Sequence, residues 1–150
     1  MTEIIKVTDE KNLATVMKFN KDLDTAMIPF LPKFLADYHH PEPQIDDPYW
    51  QDIIKGEKAV SYLVFNDGNP IGMSIIEFKD KIAMIESLFI MKQYRSQGMG
   101  KKLIEQAKKE ALERDCNLMF LNVLIDNTKA KKLYQESGFI DFRTSMVTKL

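Results

Sequence analysis

Arg95-Ser96-Gln97-Gly98-Met99-Gly100 joins two patterned stretches of the chain, an apolar run over residues 82–91 and an amphipathic helical pattern over residues 101–114. This order is typical of a strand that leads through a glycine turn into a helix. Glycine has no Cβ, so an anion can approach the backbone of Gly98 and Gly100 closely. The first N–H groups of a helix lack internal partners and carry partial positive charge. The turn therefore has the chemistry of a phosphate-binding site.

Two common phosphate-binding motifs do not fit this turn. A nucleoside-triphosphate loop, G-x-x-x-x-G-K-[S/T], would require glycine at Arg95 and a hydroxyl residue at Lys102. A dinucleotide fingerprint, G-x-G-x-x-G, would require glycine or alanine at Leu103. On the turn alone, a plain strand-to-helix connection that binds no ligand is an equally good interpretation.

The wider pattern resembles the GCN5-related N-acetyltransferase (GNAT) superfamily. The turn matches its R/Q-x-x-G-x-G/A acetyl-CoA signature, and the family's downstream elements follow in order from about Ile82 to Phe142. These downstream matches are Asn127, Ala130, Tyr134 and Gly138-Phe139. The resemblance implies that acetyl-CoA contacts Leu88, Phe89, Ile90, Arg95, Ser96, Gln97, Gly98, Met99, Gly100, Lys101 and Asn127.

The resemblance also implies an α/β (α+β) fold of the GNAT type. We expect a mixed, mostly antiparallel central sheet of six or seven strands with about four helices, and a parallel pair at strands 4 and 5. The apolar patterns predict strands over residues 3–7, 59–65, 71–78, 82–91 and 118–125, with one long or two short strands over 139–149. The run at 118–125 is continuous enough for a strand buried on both sides. Helices are predicted after Asp9, from Asp47 to Ile54, from Lys101 to Arg114, and after Asn127.

Composition predicts one domain over residues 1–150, because a chain of 150 residues with 45% hydrophobic residues can build one core but not two. The lone Cys116 cannot form an intrachain disulfide, and its spacing from His39 and His40 matches no metal motif. No apolar run approaches the roughly 20 residues that span a bilayer. We therefore expect a cytoplasmic protein with no metal site and no membrane contact. The net charge of −1 gives no bulk attraction to nucleic acid.

Charge is distributed unevenly along the chain. Residues 92–114 hold seven Lys or Arg against three Glu, whereas residues 22–52 hold Lys33 alone against seven Asp or Glu. The basic stretch suits the phosphates of coenzyme A, and the acidic stretch would attract an amine. Solvated charged faces remain the alternative interpretation. Six apolar side chains of the acidic stretch either line an acceptor pocket or pack around a loop: Met27, Phe30, Phe34, Tyr38, Tyr49 and Trp50.

Catalytic roles follow from the resemblance, which implies direct attack of an amine on the thioester in a ternary complex. Backbone N–H groups at residues 88–90 would polarise the thioester carbonyl. Glu86 interrupts an apolar strand and is our candidate base, although it equally fits the wet face of a strand that also holds Met84, Leu88 and Ile90. Tyr134 is the candidate acid for the departing thiolate, or else a core aromatic.

The chain departs from one family pattern at Asn122, where some relatives place a glutamate on the fifth strand. An amide cannot accept a proton, so the base role moves to Glu86, to an acid such as Asp24, or to solvent. Asn127 caps a helix, contacts the pantetheine arm, or does both.

These observations predict an acetyl-CoA-dependent N-acetyltransferase that acts on a primary amine of a small molecule or a peptide. The first alternative is a coenzyme A binding module without transfer activity, such as a sensor or partner subunit. A second alternative is an interaction protein that uses the aromatic, proline-rich segment 27–50. Association as a homodimer is left open.

Overall fold

The computed structural model describes residues 1–38 and 40–150. These residues form five strands: β1 (Thr2–Lys6), β2 (Ala59–Asn66), β3 (Asn69–Lys79), β4 (Ile82–Ile90) and β5 (Leu118–Leu121). They also form five α-helices: α1 (Glu10–Met27), α2 (Lys33–Ala36), α3 (Pro48–Lys55), α4 (Met99–Glu113) and α5 (Thr128–Glu136). About four helices were expected, and the additional one is the single turn α2.

The sheet is mixed and mostly antiparallel, as predicted. Its strand order is β1-β2-β3-β4-β5, and each of the first three neighbouring pairs is antiparallel. β4 and β5 are parallel and are connected by α4, which confirms the predicted parallel pair. A parallel pair requires such a crossover, because the chain must return to the same end of the sheet.

The predicted strand count of six or seven is wrong, because the described residues contribute five strands to the sheet. Residues 139–150 form no helix or strand. Their larger apolar side chains are exposed, with Ile140 at 87%, Phe142 at 73% and Met146 at 94% relative accessibility. Alternating apolar residues give a segment β-propensity, but a strand forms only where a neighbouring strand supplies hydrogen-bond partners and packing.

The fifth strand is shorter and more exposed than predicted. It ends at Leu121 instead of residue 125, and the chain then turns, with the Asn127 N–H donating to the Leu124 carbonyl at 2.9 Å. Leu118 is 56% exposed, so the expectation of a strand buried on both sides is wrong. β5 has β4 as its one neighbour among the described strands, and an edge strand is covered less than a central one.

Local capping explains where the helices begin. The Asp9 carboxylate accepts from the Asn12 N–H at 2.9 Å at the start of α1, and the Asn127 side chain accepts from the Ala130 N–H at 3.3 Å at the start of α5. Both caps were predicted from the sequence. α4 begins at Met99, two residues earlier than expected, because Gly98 takes a left-handed conformation and forms its N-cap.

The sheet carries a hydrophobic cluster on each face. On one face, α4 packs Leu103, Ile104 and Ala107 against the strands. On the other face, Leu13, Val16 and Phe19 of α1, with Trp50 and Ile53 of α3, form a second cluster. The Phe19 and Phe89 rings lie 5.4 Å apart within that cluster, which fixes α1 over β4.

A β-bulge in β4 changes the direction of its side chains. Ile75 lies opposite Ser87 and Ile76 lies opposite Ile85, so Glu86 has no partner residue on β3. As a result, Ile85 packs on the α4 face and Phe89 packs on the α1 face, although a regular strand would place both on one side. The expectation that Met84, Glu86, Leu88 and Ile90 share a side is therefore wrong, since the bulge reverses the alternation between Met84 and Leu88.

Candidate active site

β4 and β5 separate to form an open wedge. Their pairing covers Ile82–Ile85 opposite Leu118–Leu121, and β4 then continues to Ile90 without β5 beside it. The separation begins at Glu86, where the bulge interrupts the β3–β4 ladder. We use the term wedge for the gap between residues 86–90 of β4 and residues 122–124.

Backbone groups of β4 point into this wedge at alternate residues. The Met91 N–H donates to the Ile71 carbonyl at 2.8 Å, which directs the odd-numbered residues of this segment toward β3. Because antiparallel hydrogen bonds alternate along a strand, the N–H groups of Leu88 and Ile90 face away from β3 and toward the wedge. Two unpaired backbone donors therefore line one wall of the wedge.

The turn at residues 95–100 lies beyond the C-terminal end of β4. The Arg95 Nε donates to the Ile90 carbonyl at 2.8 Å, and its guanidinium lies 5.9 Å from the centre of the Phe89 ring. Ser96 and Gly98 have positive φ values of 60° and 82°. A Cβ placed on Gly98 would have no atom within 4 Å, so the space above this residue is open.

The N-terminus of α4 opens beside this turn. The first bond of the helix runs from the Lys102 N–H to the Gly98 carbonyl at 3.1 Å, which leaves the N–H groups of Met99, Gly100 and Lys101 without intrahelical acceptors. The first turn holds no acidic residue. An open cavity of about 580 Å³ adjoins Gly98 and Lys101, and its other charged lining residues are Lys102, Lys109 and one acid, Glu105. This region combines a helix N-terminus with cationic side chains, which suits a polyanion.

A second cavity, of about 560 Å³, lies at the wedge between α1, the β3–β4 pair and α5. We call it the acceptor cavity. It brings together four of the sequence-predicted residues, Glu86, Leu88, Asn127 and Tyr134. Asn122 lines it as well. Of the aromatic stretch, Met27, Tyr49 and Trp50 line the cavity, whereas Phe30, Phe34 and Tyr38 are not part of its lining.

Glu86 faces the acceptor cavity from the bulge of β4. Partial burial raises the pKa of its carboxyl, and the neighbouring charge of Glu77 raises that pKa further. Both effects favour the protonated form, so this carboxylate is a stronger base than an ordinary surface glutamate.

Tyr134 lines the acceptor cavity from α5, and its ring packs edge-on to Phe139 at 6.1 Å. Burial raises the pKa of its phenol above the usual value of 10.0. The hydroxyl therefore stays protonated at neutral pH and can donate a proton or a hydrogen bond. The ring also packs against the α4 cluster, so the residue contributes to the core and to the cavity.

Asn127 and Asn122 lie on the wall of the acceptor cavity opposite β4. The Asn127 side chain caps α5 through its Oδ1 and approaches the Met27 sulfur with its Nδ2 at 3.7 Å. Asn122 directly follows β5, where the two strands have separated. Its amide can orient a ligand or a water molecule but cannot remove a proton.

Phe89 and Arg95, two of the predicted cofactor contacts, have side chains that make contacts within the protein instead. The Phe89 side chain is 7% exposed and lies in the α1 cluster, and its backbone groups point toward β3. The Arg95 side chain binds back to β4 instead of extending into the phosphate turn. Neither side chain lines either of the two cavities.

Sequence reasoning missed Glu77 and Ser87 as cavity residues. Glu77 ends the apolar stretch of β3 and accepts from the Tyr49 hydroxyl at 2.7 Å, while Ser87 donates to Asn20 of α1 at 2.8 Å. A lone charge in an apolar strand was the signal for Glu77, the same signal that selected Glu86. The bulge that directs Ser87 toward α1 has no equivalent signal in the sequence.

Residues 1–38 and 40–150 contain neither a cluster of metal ligands nor a helix that could span a membrane. No group of three or more His, Cys, Asp or Glu side chains in this part of the chain could hold a metal ion. None of its helices has both the length and the apolarity needed to cross a membrane. His39 lies outside the described residues.

Known proteins resemble the chain in sequence and in fold. The sequence profile of the acetyltransferase (GNAT) family matches residues 27–139. The chain is 25% identical to N-alpha-acetyltransferase 60 of Xenopus tropicalis, covering 83% of this chain and 59% of the relative. It is 30% identical to an uncharacterized N-acetyltransferase of Archaeoglobus fulgidus, covering 67% of this chain and 73% of the relative. The chain thus spans only about three fifths of the length of the Xenopus relative.

Among solved structures, the PaiA N-acetyltransferase of Thermoplasma acidophilum in complex with coenzyme A has a similar fold. The two structures superpose with a TM-score of 0.75 at 15% sequence identity, over 97% of this chain and 93% of the other. At this identity the likeness concerns the fold alone.

Proposed function

The chain belongs to the acetyltransferase (GNAT) family, and from this premise we propose that it transfers an acetyl group from acetyl-CoA to a primary amine of a small molecule or peptide. We further propose that the amine attacks directly, with donor and acceptor bound together. The observation that carries the proposal is the wedge. It leads from the N-terminus of α4, which suits phosphates, to a cavity lined by carboxylates and a phenol.

The residues around the turn fit a diphosphate-containing donor. The open space above Gly98 would admit an anion to the backbone, and the N–H groups of Met99, Gly100 and Lys101 at the same helix end have no intrahelical acceptor. Lys101 and Lys102 add positive charge in the same turn. Acetyl-CoA would supply the activated acyl group, and these residues would bind it and hold it in one orientation.

The backbone N–H groups of Leu88 and Ile90 would donate to the thioester carbonyl oxygen as it gains negative charge. Their N–H groups face the wedge, and the Ile90 carbonyl already accepts from Arg95, which fixes this segment of β4. Backbone donors held rigidly before the reaction stabilise an oxyanion without reorganising, which is the main source of rate enhancement in acyl transfer.

The amine must lose a proton before it attacks. An alkylammonium group with a pKa of about 10.4 is neutral in only about one molecule in a few thousand at pH 7. Glu86 is our candidate base, because it lines the acceptor cavity and both burial and Glu77 raise the pKa of its carboxyl. Asp24, which lines the same cavity, and solvent are the alternatives.

Tyr134 is our candidate acid for the thiolate that leaves. It lines the acceptor cavity across the wedge from β4, and burial keeps its phenol protonated. Asn127 lies beside it and would hydrogen-bond the pantetheine arm with whichever amide atoms its capping role leaves free.

Amine-dependent release of thiol from acetyl-CoA tests the proposal. We expect saturable thiol release with at least one member of a panel of primary amines, matched mole for mole by acetylated product in mass spectrometry. Asn122 favours a second candidate, a coenzyme A binding module that has lost transfer activity. Saturable acetyl-CoA binding in calorimetry, without turnover across chemically diverse amines, would favour that module instead.

A further inference from the structure

The acceptor cavity holds more negative charge than transfer to a simple amine requires. Three carboxylates line it, each from a different element: Asp24 of α1, Glu77 of β3 and Glu86 of the β4 bulge. Removal of one proton needs one of them. The inference that follows rests on the proposed function and concerns the chemical class of the acceptor.

These carboxylates are not neutralised by the cavity itself. Its lining contains no Lys, Arg or His among the described residues, and none of the three acids has a cationic partner within 4.0 Å there. His40 acts on Asp24 electrostatically but lies outside the lining. Like charges that share a partly desolvated space repel each other, so a cation that enters the cavity relieves that repulsion.

Glu77 is held in place independently of Glu86. The Tyr49 hydroxyl donates to its Oε1 at 2.7 Å, and the Tyr49 ring packs edge-on to Trp50 at 5.2 Å. Both rings line the cavity beside Glu77. A carboxylate that is oriented by a phenol and shares its cavity with two aromatic rings is a favourable site for an ammonium group.

We propose that the acceptor is a linear aliphatic diamine or polyamine. One nitrogen lies near Glu86 and Tyr134 and is acetylated, while a second, protonated nitrogen binds Glu77. The reacting nitrogen must give up its charge and becomes part of a neutral amide. Only a second nitrogen can keep a positive charge in the cavity throughout the reaction. An amino acid of the same length brings its own carboxylate into this negative cavity and is disfavoured.

Three probe amines differ in the charged groups that they carry, so together they test the effect of each group. They are 1,5-diaminopentane, n-pentylamine and lysine. The first two differ by the second ammonium group, and lysine adds a carboxylate to the first. For the natural chain, kcat/KM for the diamine should exceed that for each of the other two by about ten- to a hundred-fold, mainly through a lower KM. Calorimetric titration of the protein with each of the three probes should rank their affinities in the same order.

Glu77→Gln keeps the shape of the side chain and removes its charge. At a pH above the acidic limb of the rate profile, it should raise KM for 1,5-diaminopentane about ten-fold or more, and it should change KM for n-pentylamine much less. Tyr49→Phe should raise the same KM less, because the phenol only positions Glu77. Glu57→Gln is the matched control, since Glu57 is an exposed carboxylate outside the cavity, and it should change neither amine's kinetics.

Comparable kcat/KM for the diamine and n-pentylamine would overturn the inference and leave the proposed function intact. An equal effect of Glu77→Gln on both amines would also overturn it, because the residue would then serve the cavity generally. Absence of thiol release with every amine would instead refute the proposed function, whether or not acetyl-CoA still binds.

Discussion

The Tyr134 phenol can be tested by removing one oxygen atom. Tyr134→Phe keeps the ring that packs on Phe139, so we expect kcat to fall by roughly ten- to a thousand-fold with coenzyme A affinity nearly unchanged. Steady-state kinetics and calorimetry measure the two quantities. Tyr38→Phe is the control, because Tyr38 is 67% exposed and lies outside the acceptor cavity. An unaltered kcat in Tyr134→Phe would remove the assignment of the acid.

The pH profile tests Glu86 as the base. Because a base works in its deprotonated form, kcat for n-pentylamine should rise with pH through the pKa of Glu86, which burial and then Glu77 raise above 4.5. Glu77→Gln removes the second effect, so the acidic limb of the profile should move to lower pH. Glu86→Gln should abolish that limb and lower kcat about a hundred-fold. If the acidic limb of the kcat profile stayed at the same pH in both variants, a group other than Glu86 would be the base.

Single residues were predictable where their chemistry is local. Asn127 was expected to cap a helix because asparagine suits that position, and its side chain does accept from Ala130. Glu86 was recognisable as a charge within an apolar strand. Its direction was not, because the bulge depends on how β3 and β4 pair, and pairing is a property of two strands together.

The turn before α4 is the element that should bind the phosphates of acetyl-CoA. Gly98→Ala forces a residue with a Cβ into φ +82° and should cost about 1 kcal/mol of folding free energy. Gly68→Ala is a matched control: Gly68 has φ +79°, and a Cβ there would likewise meet no atom within 4 Å. Calorimetry should show coenzyme A affinity reduced about ten-fold or more in Gly98→Ala and unchanged in Gly68→Ala. Equal affinity in the two variants would contradict the phosphate site.

Elements with strong periodicity or capping signals were predicted closely, as α1 and α5 illustrate. The two ends of the sheet were not. β5 stops four residues early, and the strands expected within residues 139–149 do not form, because strand formation depends on a neighbour that local sequence does not specify. The wedge is a consequence of this early end.

A buried charge network connects α4 to β1 and β2 and contributes to the stability of the whole molecule. Glu110 is 5% exposed and accepts hydrogen bonds from Lys6 at 2.8 Å, from Arg114 at 2.9 Å and from the Tyr62 hydroxyl. Burial alone would raise the pKa of Glu110, but these three donors together hold it at about 2. The folded protein therefore favours the charged carboxylate more than the unfolded chain does.

The free energy of unfolding should consequently depend on pH through this residue. The contribution of Glu110 is present above its unfolded pKa of about 4.5 and is lost as pH falls toward about 2. Urea denaturation at a series of pH values measures it. Glu110→Gln should lower stability at pH 7 by about 3 kcal/mol and flatten the pH dependence between those limits. A parallel loss of stability in both proteins below pH 4.5 would contradict the network.

A single unfolding transition in each urea denaturation curve would agree with the prediction of a single domain over residues 1–150.

In the molecule as a whole, the gap between β4 and β5 is where donor and acceptor should meet. A crystal structure of the protein with coenzyme A tests this most directly. We expect the pantetheine arm between residues 86–90 and 122–124, with the diphosphate on the backbone of Gly98 and Gly100 at the start of α4. Coenzyme A bound elsewhere, or β5 continuing beside β4 to Ile90 so that the gap is closed, would contradict the account.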